Sequence, residues 1–223
     1  MNEARRLIDK LDERFQFRPG QKFLDLACGK GRHAIYMNRK GLDVIGVDLS
    51  PQNIAEAKVH ENDRLHFFVH DMRDIFSHAT FDYVVNLFTS FGYFDTESEN
   101  EQAICATATA MKPGGYFIMD YLNPVLVKRN MVPCEERNID DIQFKINRRF
   151  SEGYFLKDIE FEVEEKTFFF QEKVQAIGKK EFFKYFQKAG LVIEEVYGDY
   201  QLNEFDENLS SRMIFVLKKD KLA

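Results

Sequence analysis

Gly29 and Gly31 follow directly on the short apolar run Phe23-Leu24-Asp25-Leu26-Ala27. Glycines at such a turn let a ligand approach the backbone with no Cβ in the way, and a strand-to-helix turn can offer N–H groups to an anion. Gly29-Lys30-Gly31-Arg32-His33-Ala34 also fits the loose dinucleotide pattern. Asp48 ends the next apolar run, Val44 to Val47, where an acid is placed to hold the two hydroxyls of a ribose. Any adenosine cofactor satisfies both features. No metal centre is expected. His66 and His70 stand four apart, but on a strand that separates them by about 13 Å, too far to share one ion. Cys28, Cys105 and Cys134 have neither metal-type nor disulfide spacing, and Cys28 reads as a small filler of the turn.

These residues need a frame of alternating strands and helices. Leu7, Ile8, Leu11 and Phe15 recur at helical spacing and stop before Pro19-Gly20. After the glycine turn a helix runs to about Lys40, with Gly41 as its stop, and Ser50-Pro51 caps the next helix. Leu65 to Val69 and Phe81 to Leu87 read as further strands, the second nearly continuous in apolar character, as a buried parallel strand should be. Ser98-Glu99-Asn100-Glu101 reads as a capping box before an alanine-rich helix that ends at Lys112-Pro113-Gly114-Gly115. Tyr116 to Tyr121 is the fifth strand. From Ile142 to Ile177 three alternating stretches, turning at Ser151-Glu152-Gly153 and Glu164-Glu165-Lys166, read as an inserted antiparallel sheet. Phe182, Phe183 and Phe186 then share a helix face, and Leu191 to Tyr197 and Met213 to Leu217 close the chain. The expectation is an α/β chain: one domain over residues 1–223, built as a three-layer Rossmann-like fold. Its sheet is seven-stranded and mostly parallel, with residues 134–178 as an inserted antiparallel β subdomain.

Several segments together resemble the class I S-adenosylmethionine-dependent methyltransferases. They are Leu24 to Gly31, Val47-Asp48-Leu49-Ser50, His70-Asp71-Met72-Arg73, Phe81 to Val85 and Lys112-Pro113-Gly114-Gly115. The resemblance implies S-adenosyl-L-methionine as cofactor and S-adenosyl-L-homocysteine as product. By the same resemblance Asp25 organises the glycine loop, Gly29 and Gly31 face the methionine part, and Asp48 meets the ribose. Asp71 meets the adenine amino group with Met72 on the ring, and Asn86 and Leu87 lie nearest the sulfonium. Ala27, Cys28 and Leu49 complete the expected cofactor contacts. More narrowly, Asp71 to Asp74, Phe88 to Phe94 and the inserted sheet are similar to amino-sugar N,N-dimethyltransferases, in which that sheet shapes the acceptor pocket and takes part in dimerisation. Those relatives carry a helical lid with aromatic residues before the loop. Only 22 residues precede Phe23 here, which puts acceptor closure by such a lid in question.

Methyl transfer from a sulfonium is an in-line displacement, accelerated largely by alignment and exclusion of water. A base is optional. Polar candidates near the active edge are His33, Tyr93, Asp120 and Tyr121, with Tyr93 and His33 taken as the catalytic pair. An Asn-Pro-Pro-Tyr motif is absent after the fourth strand, where Asn86 is followed by Leu87-Phe88-Thr89, and this weakens a reading as a methylase of DNA bases or protein glutamine. A formal charge of -6 and a pI near 5.5 leave no basic footprint for nucleic acid. No apolar run approaches the roughly 20 residues of a membrane span. The sequence therefore predicts a cytoplasmic enzyme methylating nitrogen or oxygen of a small-molecule acceptor, with a homodimer formed through the inserted sheet. Of Arg148 and Arg149, which face opposite sides of a strand, at most one is expected to meet an anionic substrate. The competing readings are a nicotinamide oxidoreductase, which the glycine pattern and Asp48 would serve equally, and a catalytically silent cofactor-binding module.

Overall fold

Both faces of the main sheet are buried, and the alternation along each strand shows how. In the computed structural model, which describes residues 2–220, the strands β1 (Lys22–Leu26), β2 (Asp43–Asp48), β3 (Leu65–Val69), β4 (Phe81–Asn86) and β5 (Met111–Leu122) are all parallel, with β3 at the edge. Phe23, Val85, Ile118 and Ile214 point to one side, where they pack with α1 (Asn2–Phe15), α2 (Arg32–Arg39) and α3 (Pro51–Lys58). Leu24, Val84, Phe117 and Phe215 point to the other, under α4 (Glu97–Ala110) and α6 (Lys179–Lys188). A strand buried on both faces must be apolar at successive positions, which is why these runs lack polar alternation.

Two antiparallel strands, β10 (Leu191–Tyr197) and β11 (Arg212–Lys219), complete the sheet in the order β10-β11-β5-β4-β1-β2-β3. β11 lies between β10 and β5 and runs against both. Its first residue, Arg212, pairs with Leu122 and so arrives at the carboxyl end of β5, beside the site. The short helix α5 (Pro124–Arg129) starts there too, capped by Asn123, whose side chain accepts from Val125 N.

The structure departs from the sequence reading in several places. α4 begins two residues earlier than Ser98 suggests: Thr96 is the cap, its hydroxyl accepting from Glu99 N while Glu99 accepts from Thr96 N at 3.0 Å. Met111 to Gly115 are not a free turn but the bulged start of β5. The register jumps from Phe81–Met111 to Tyr83–Tyr116, so the four residues from Lys112 to Gly115 stand opposite Asp82 alone. Phe183 is 39% exposed, and Tyr185 takes its place with Phe182 and Phe186 on the buried face of α6.

The inserted sheet has four strands rather than three, in order: β6 (Cys134–Ile139), β7 (Ile142–Ser151), β8 (Tyr154–Val163) and β9 (Lys166–Gln175). Asp140-Asp141, Glu152-Gly153 and Glu164-Glu165 all have positive φ at both residues, the two-residue turn that matches strand twist. β6 escaped notice because its pattern is mostly charged and exposed. Register places Phe144, Phe161 and Phe168 in one row and Ile146, Ile159 and Phe170 in the next, on a single face of the sheet.

Candidate functional site

The loop after β1 is shaped by alternating left-handed residues, Ala27 (φ 56°), Gly29 (φ 54°) and Gly31 (φ 78°). Gly31 is required twice over, because a Cβ there would also meet the Phe67 ring at 2.6 Å. A Cβ on Gly29 would meet nothing within 4 Å, so its side faces open space where a ligand can come close. Asp25, fully buried, accepts from Ala34 N at 3.1 Å. That bond supplies the first turn of α2 with the acceptor its glycine N-cap lacks, and so fixes loop to helix.

Three N–H groups of this loop are already bonded within the protein. Cys28 N donates to Val47 O, Gly29 N to Asp48 Oδ2 at 2.8 Å and Gly31 N to Cys28 O. The positive end of α2 is already occupied by the Asp25 carboxyl. Burial, and next the charge of Asp48, push the Asp25 carboxyl up to about 7. Cys28 is buried, and desolvation pushes its thiol well above the usual range, which suits a filler and not a nucleophile.

Beside the loop lies a cavity of about 310 Å³. Ala27, Asp48, Leu49, Asp71 and Met72, all among the expected cofactor contacts, form one wall together with Val47 and His70. Asp48 holds the loop as well as facing the cavity: Oδ1 accepts from Ser50 N at 2.9 Å and from Asn53 Nδ2 at 3.3 Å. Asp71 is gripped by Arg73, whose Nη2 reaches Oδ2 at 2.6 Å and whose other arm reaches Glu99 Oε1 at 2.5 Å. The guanidinium holds the Asp71 carboxyl below the usual carboxylate range, keeping it an acceptor. The opposite wall is Ser90, Phe91, Tyr93 and Phe94.

The catalytic candidates separate sharply. Tyr93 lines the cavity and is 56% exposed. His33 does not line it; its ring stacks on Phe88 at 5.0 Å, with Nε2 buried and without a partner. Desolvation pulls the His33 imidazole down to about 4, so it is neutral at pH 7. Asp120 and Tyr121 are corrected from candidate bases to structural anchors. Asp120, fully buried, accepts from Phe88 N at 2.8 Å, Arg212 Nε at 2.7 Å and Tyr200 Oη at 3.2 Å. Tyr121 donates to Gln175 O at the end of the inserted sheet, and burial raises its phenol far above the usual range. Leu87 is 2% exposed, packs into the core and is not among the residues lining the cavity.

Asn86 tests whether a cationic cofactor fits. It donates Nδ2 to Leu26 O at 3.0 Å beside the loop, and its Oδ1 is buried with no protein partner. A buried bare acceptor is costly unless a ligand satisfies it, and an ammonium or sulfonium would. With Asp25 beneath the loop and Asp48 and Asp71 on the wall, the surroundings favour positive charge over a pyrophosphate.

Sequence reasoning passed over one part of the site. Phe88 (φ 60°) and Thr89 (φ 58°) are consecutive left-handed residues, neither a glycine, a strain of about 1–3 kcal/mol each. The bonds that hold them come from Asp120 and Arg212, which no local motif announces.

Residues 23–115 match the protein family described as a methyltransferase domain. The Bacillus subtilis protein YqeM, named a methyltransferase, is 33% identical over 102 residues, covering 44% of this chain and 41% of the relative. The dTDP-3-amino-3,4,6-trideoxy-alpha-D-glucopyranose N,N-dimethyltransferase of Streptomyces venezuelae is 34% identical over 98 residues, covering 44% of this chain and 40% of the relative. The chain thus matches less than half the length of either. Among solved structures, an S-adenosylmethionine-dependent methyltransferase from Clostridium acetobutylicum superposes with a TM-score of 0.84 at 19% identity, covering 98% of this chain and 91% of the other. CalS10, an amino pentose methyltransferase from Micromonospora echinaspora with the cofactor bound, gives 0.78 at 19% identity over 98% and 92%. The family match thus covers residues 23–115, and over nearly its full length the chain has the Rossmann-like fold of these solved methyltransferases.

Proposed function

We propose that the chain binds S-adenosyl-L-methionine in the cavity between the glycine loop and Phe91, and methylates nitrogen or oxygen of a small molecule, releasing S-adenosyl-L-homocysteine. The observation that carries this reading is the acidic, cation-seeking character of the site: Asp48 and Asp71 line it, Asp25 lies buried beneath its loop, and the Asn86 Oδ1 is bare. When bound, the cofactor supplies an electrophilic methyl group on sulfur. Asp48 would take the ribose hydroxyls, Asp71 the adenine amino group, and Met72 with Phe91 and Phe94 the faces of the ring. Gly29 would admit the methionine part. A dinucleotide fits less well, because the N–H groups of Cys28, Gly29 and Gly31 are already bonded within the protein and the Asp25 carboxyl caps the first turn of α2.

The protein's own contribution to the chemistry is alignment and water exclusion. His33 is neutral at pH 7 and has an unpartnered Nε2. Its ring, stacked on Phe88 and off the cavity lining, would support that corner as a neutral group, while Tyr93 at the cavity wall would orient an acceptor that reacts through its unprotonated lone pair and loses its proton to solvent. The reading extends to a cytoplasmic single-domain enzyme in which residues 134–178 form the inserted subdomain. A second copy would pair through the aromatic face of that sheet, where Phe168 and Phe170 are 39% and 55% exposed. Among the described residues no helix is long and apolar enough to cross a membrane.

The test is transfer of labelled methyl from S-adenosylmethionine to a panel of small amines and hydroxyl compounds, with tRNA and bulk protein as parallel acceptors. Label in a small molecule, reduced in Tyr93→Phe, is the expected outcome. Label in macromolecules alone, or in nothing, would refute the acceptor class.

A further inference from the structure

The wall of the cavity from Ser90 to Phe94 hangs from a corner that could not stand alone. Phe88 and Thr89 both sit in the left-handed region, which a β-branched residue such as Thr adopts only under constraint. The constraint comes from across the sheet. Asp120 on β5 accepts from Phe88 N through Oδ2, and its backbone carbonyl accepts from Thr89 N at 3.1 Å. Arg212, the first residue of β11, spans the two: Nε donates to Asp120 Oδ1 at 2.7 Å and Nη2 to Thr89 Oγ1 at 2.7 Å. Tyr200, from the segment joining β10 to β11, donates to the same carboxylate and lays its ring on Phe88 at 5.0 Å. Asp120 is fully buried and the Arg212 side chain is only 18% exposed, so water does not substitute for either partner.

We infer that Arg212 is a positioning residue for the cofactor cavity, its guanidinium fork clamping the Phe88–Thr89 corner so that Phe91, Tyr93 and Phe94 close over the ligand. The inference rests on the methyltransferase reading above and adds the device that sets its second wall. The geometry uses both arms of the fork, one for a carboxylate and one for a hydroxyl, a pairing that a lysine with a single point of charge cannot reproduce. The clamp acts on ligand affinity because four residues beyond the corner line the cavity directly. It also ties the segment after β10 to the same carboxylate, so that displacement of Tyr200 and displacement of the corner go together.

The experiment is calorimetric titration of S-adenosylhomocysteine into the full chain and four variants, with thermal melts in parallel. Thr89→Val removes only the hydroxyl and keeps the shape; Thr89→Gly removes the strain, since glycine holds a positive φ at little cost. The Kd should rise about fivefold in Thr89→Val with little change in melting temperature, and at least as much in Arg212→Met. In Thr89→Gly/Arg212→Met the arginine's effect should shrink to under about twofold relative to Thr89→Gly, because the corner no longer needs holding. A purely structural arginine would lower the melting temperature equally in both backgrounds and leave affinity alone, and that result overturns the inference. If Arg212→Met does not fold, unchanged affinity in Thr89→Val overturns it by itself. Failure of the unmodified chain to bind S-adenosylhomocysteine would instead defeat the methyltransferase reading on which the clamp depends.

Discussion

The two walls of the cavity are held by different kinds of bond. The loop wall is closed by short-range contacts: Ala34 to Asp25 across 9 residues, Gly29 to Asp48 across 19 and Arg73 to Asp71 across 2. The opposite wall is closed at a distance, by Phe88 to Asp120 across 32 residues, Tyr121 to Gln175 across 54 and Arg212 to Thr89 across 123. The first wall is a motif in the strict sense, a stretch of chain that carries its own geometry. The second exists only once β5, β11 and the inserted sheet have assembled. A cofactor common to many reactions can be served by the first kind, while a wall that depends on the rest of the fold is free to change with the acceptor.

Substitutions should separate the walls. The largest effect is expected from Gly31→Ala, which forces a left-handed alanine and drives its Cβ toward the Phe67 ring. Strain and overpacking together should cost about 3–4 kcal/mol in a urea melt and abolish cofactor binding. Tyr121→Phe comes next. It leaves the Gln175 carbonyl without its donor and should cost about 1–3 kcal/mol of stability, with cofactor affinity falling far less than in Gly31→Ala. Loss of cofactor binding in Tyr121→Phe without loss of stability would show that the walls are not separable. Gly29→Ala should cost only about 1–2 kcal/mol, since its Cβ meets open space, yet it should weaken S-adenosylhomocysteine binding because the ligand needs that space. A stable variant with undiminished affinity would remove Gly29 from the site.

The contrast also explains what the sequence revealed. Ala27 to Gly31 and Asp48 were legible because strand, turn and cap signals place them locally, and Asp71 with Met72 through the family resemblance; of these, Ala27, Asp48, Asp71 and Met72 line the cavity. The buried strands were legible by their apolar runs. The roles of Asp120 and Tyr121 were not, since a buried acid near an active edge reads as a base until its partners are known, and those partners are Arg212 and Gln175, 92 and 54 residues away. The strand β6 was hidden by a charged, exposed composition, and the start of α4 by two overlapping cap signals, Thr96 and Ser98, each followed three residues later by an acid. Ser90, Phe91 and Phe94 were within the quoted motif, but the corner that aims them at the cavity is set by positive φ values that no residue type there would suggest.

The smallest effect is a pH dependence. Burial raises the Asp25 carboxyl to about 7, and a cation bound near the loop favours its ionised form. Below pH 7 binding must therefore expel a proton, so affinity should rise between pH 6 and pH 8, by up to about tenfold and more for S-adenosylmethionine than for its product. Asp25→Asn should flatten the profile. A rise of the same size in that variant would assign the titration to another group.

The central claim is that this cavity takes a cationic adenosine cofactor and not a dinucleotide. Calorimetric titration of the full chain with S-adenosylmethionine, S-adenosylhomocysteine and NAD tests it most directly. Saturable binding of the first two at one site per chain, with no heat from NAD, is the predicted result. Binding of NAD alone would contradict the account, because it would place a pyrophosphate beside Asp25 and Asp48, where the N–H groups of Cys28, Gly29 and Gly31 are already bonded.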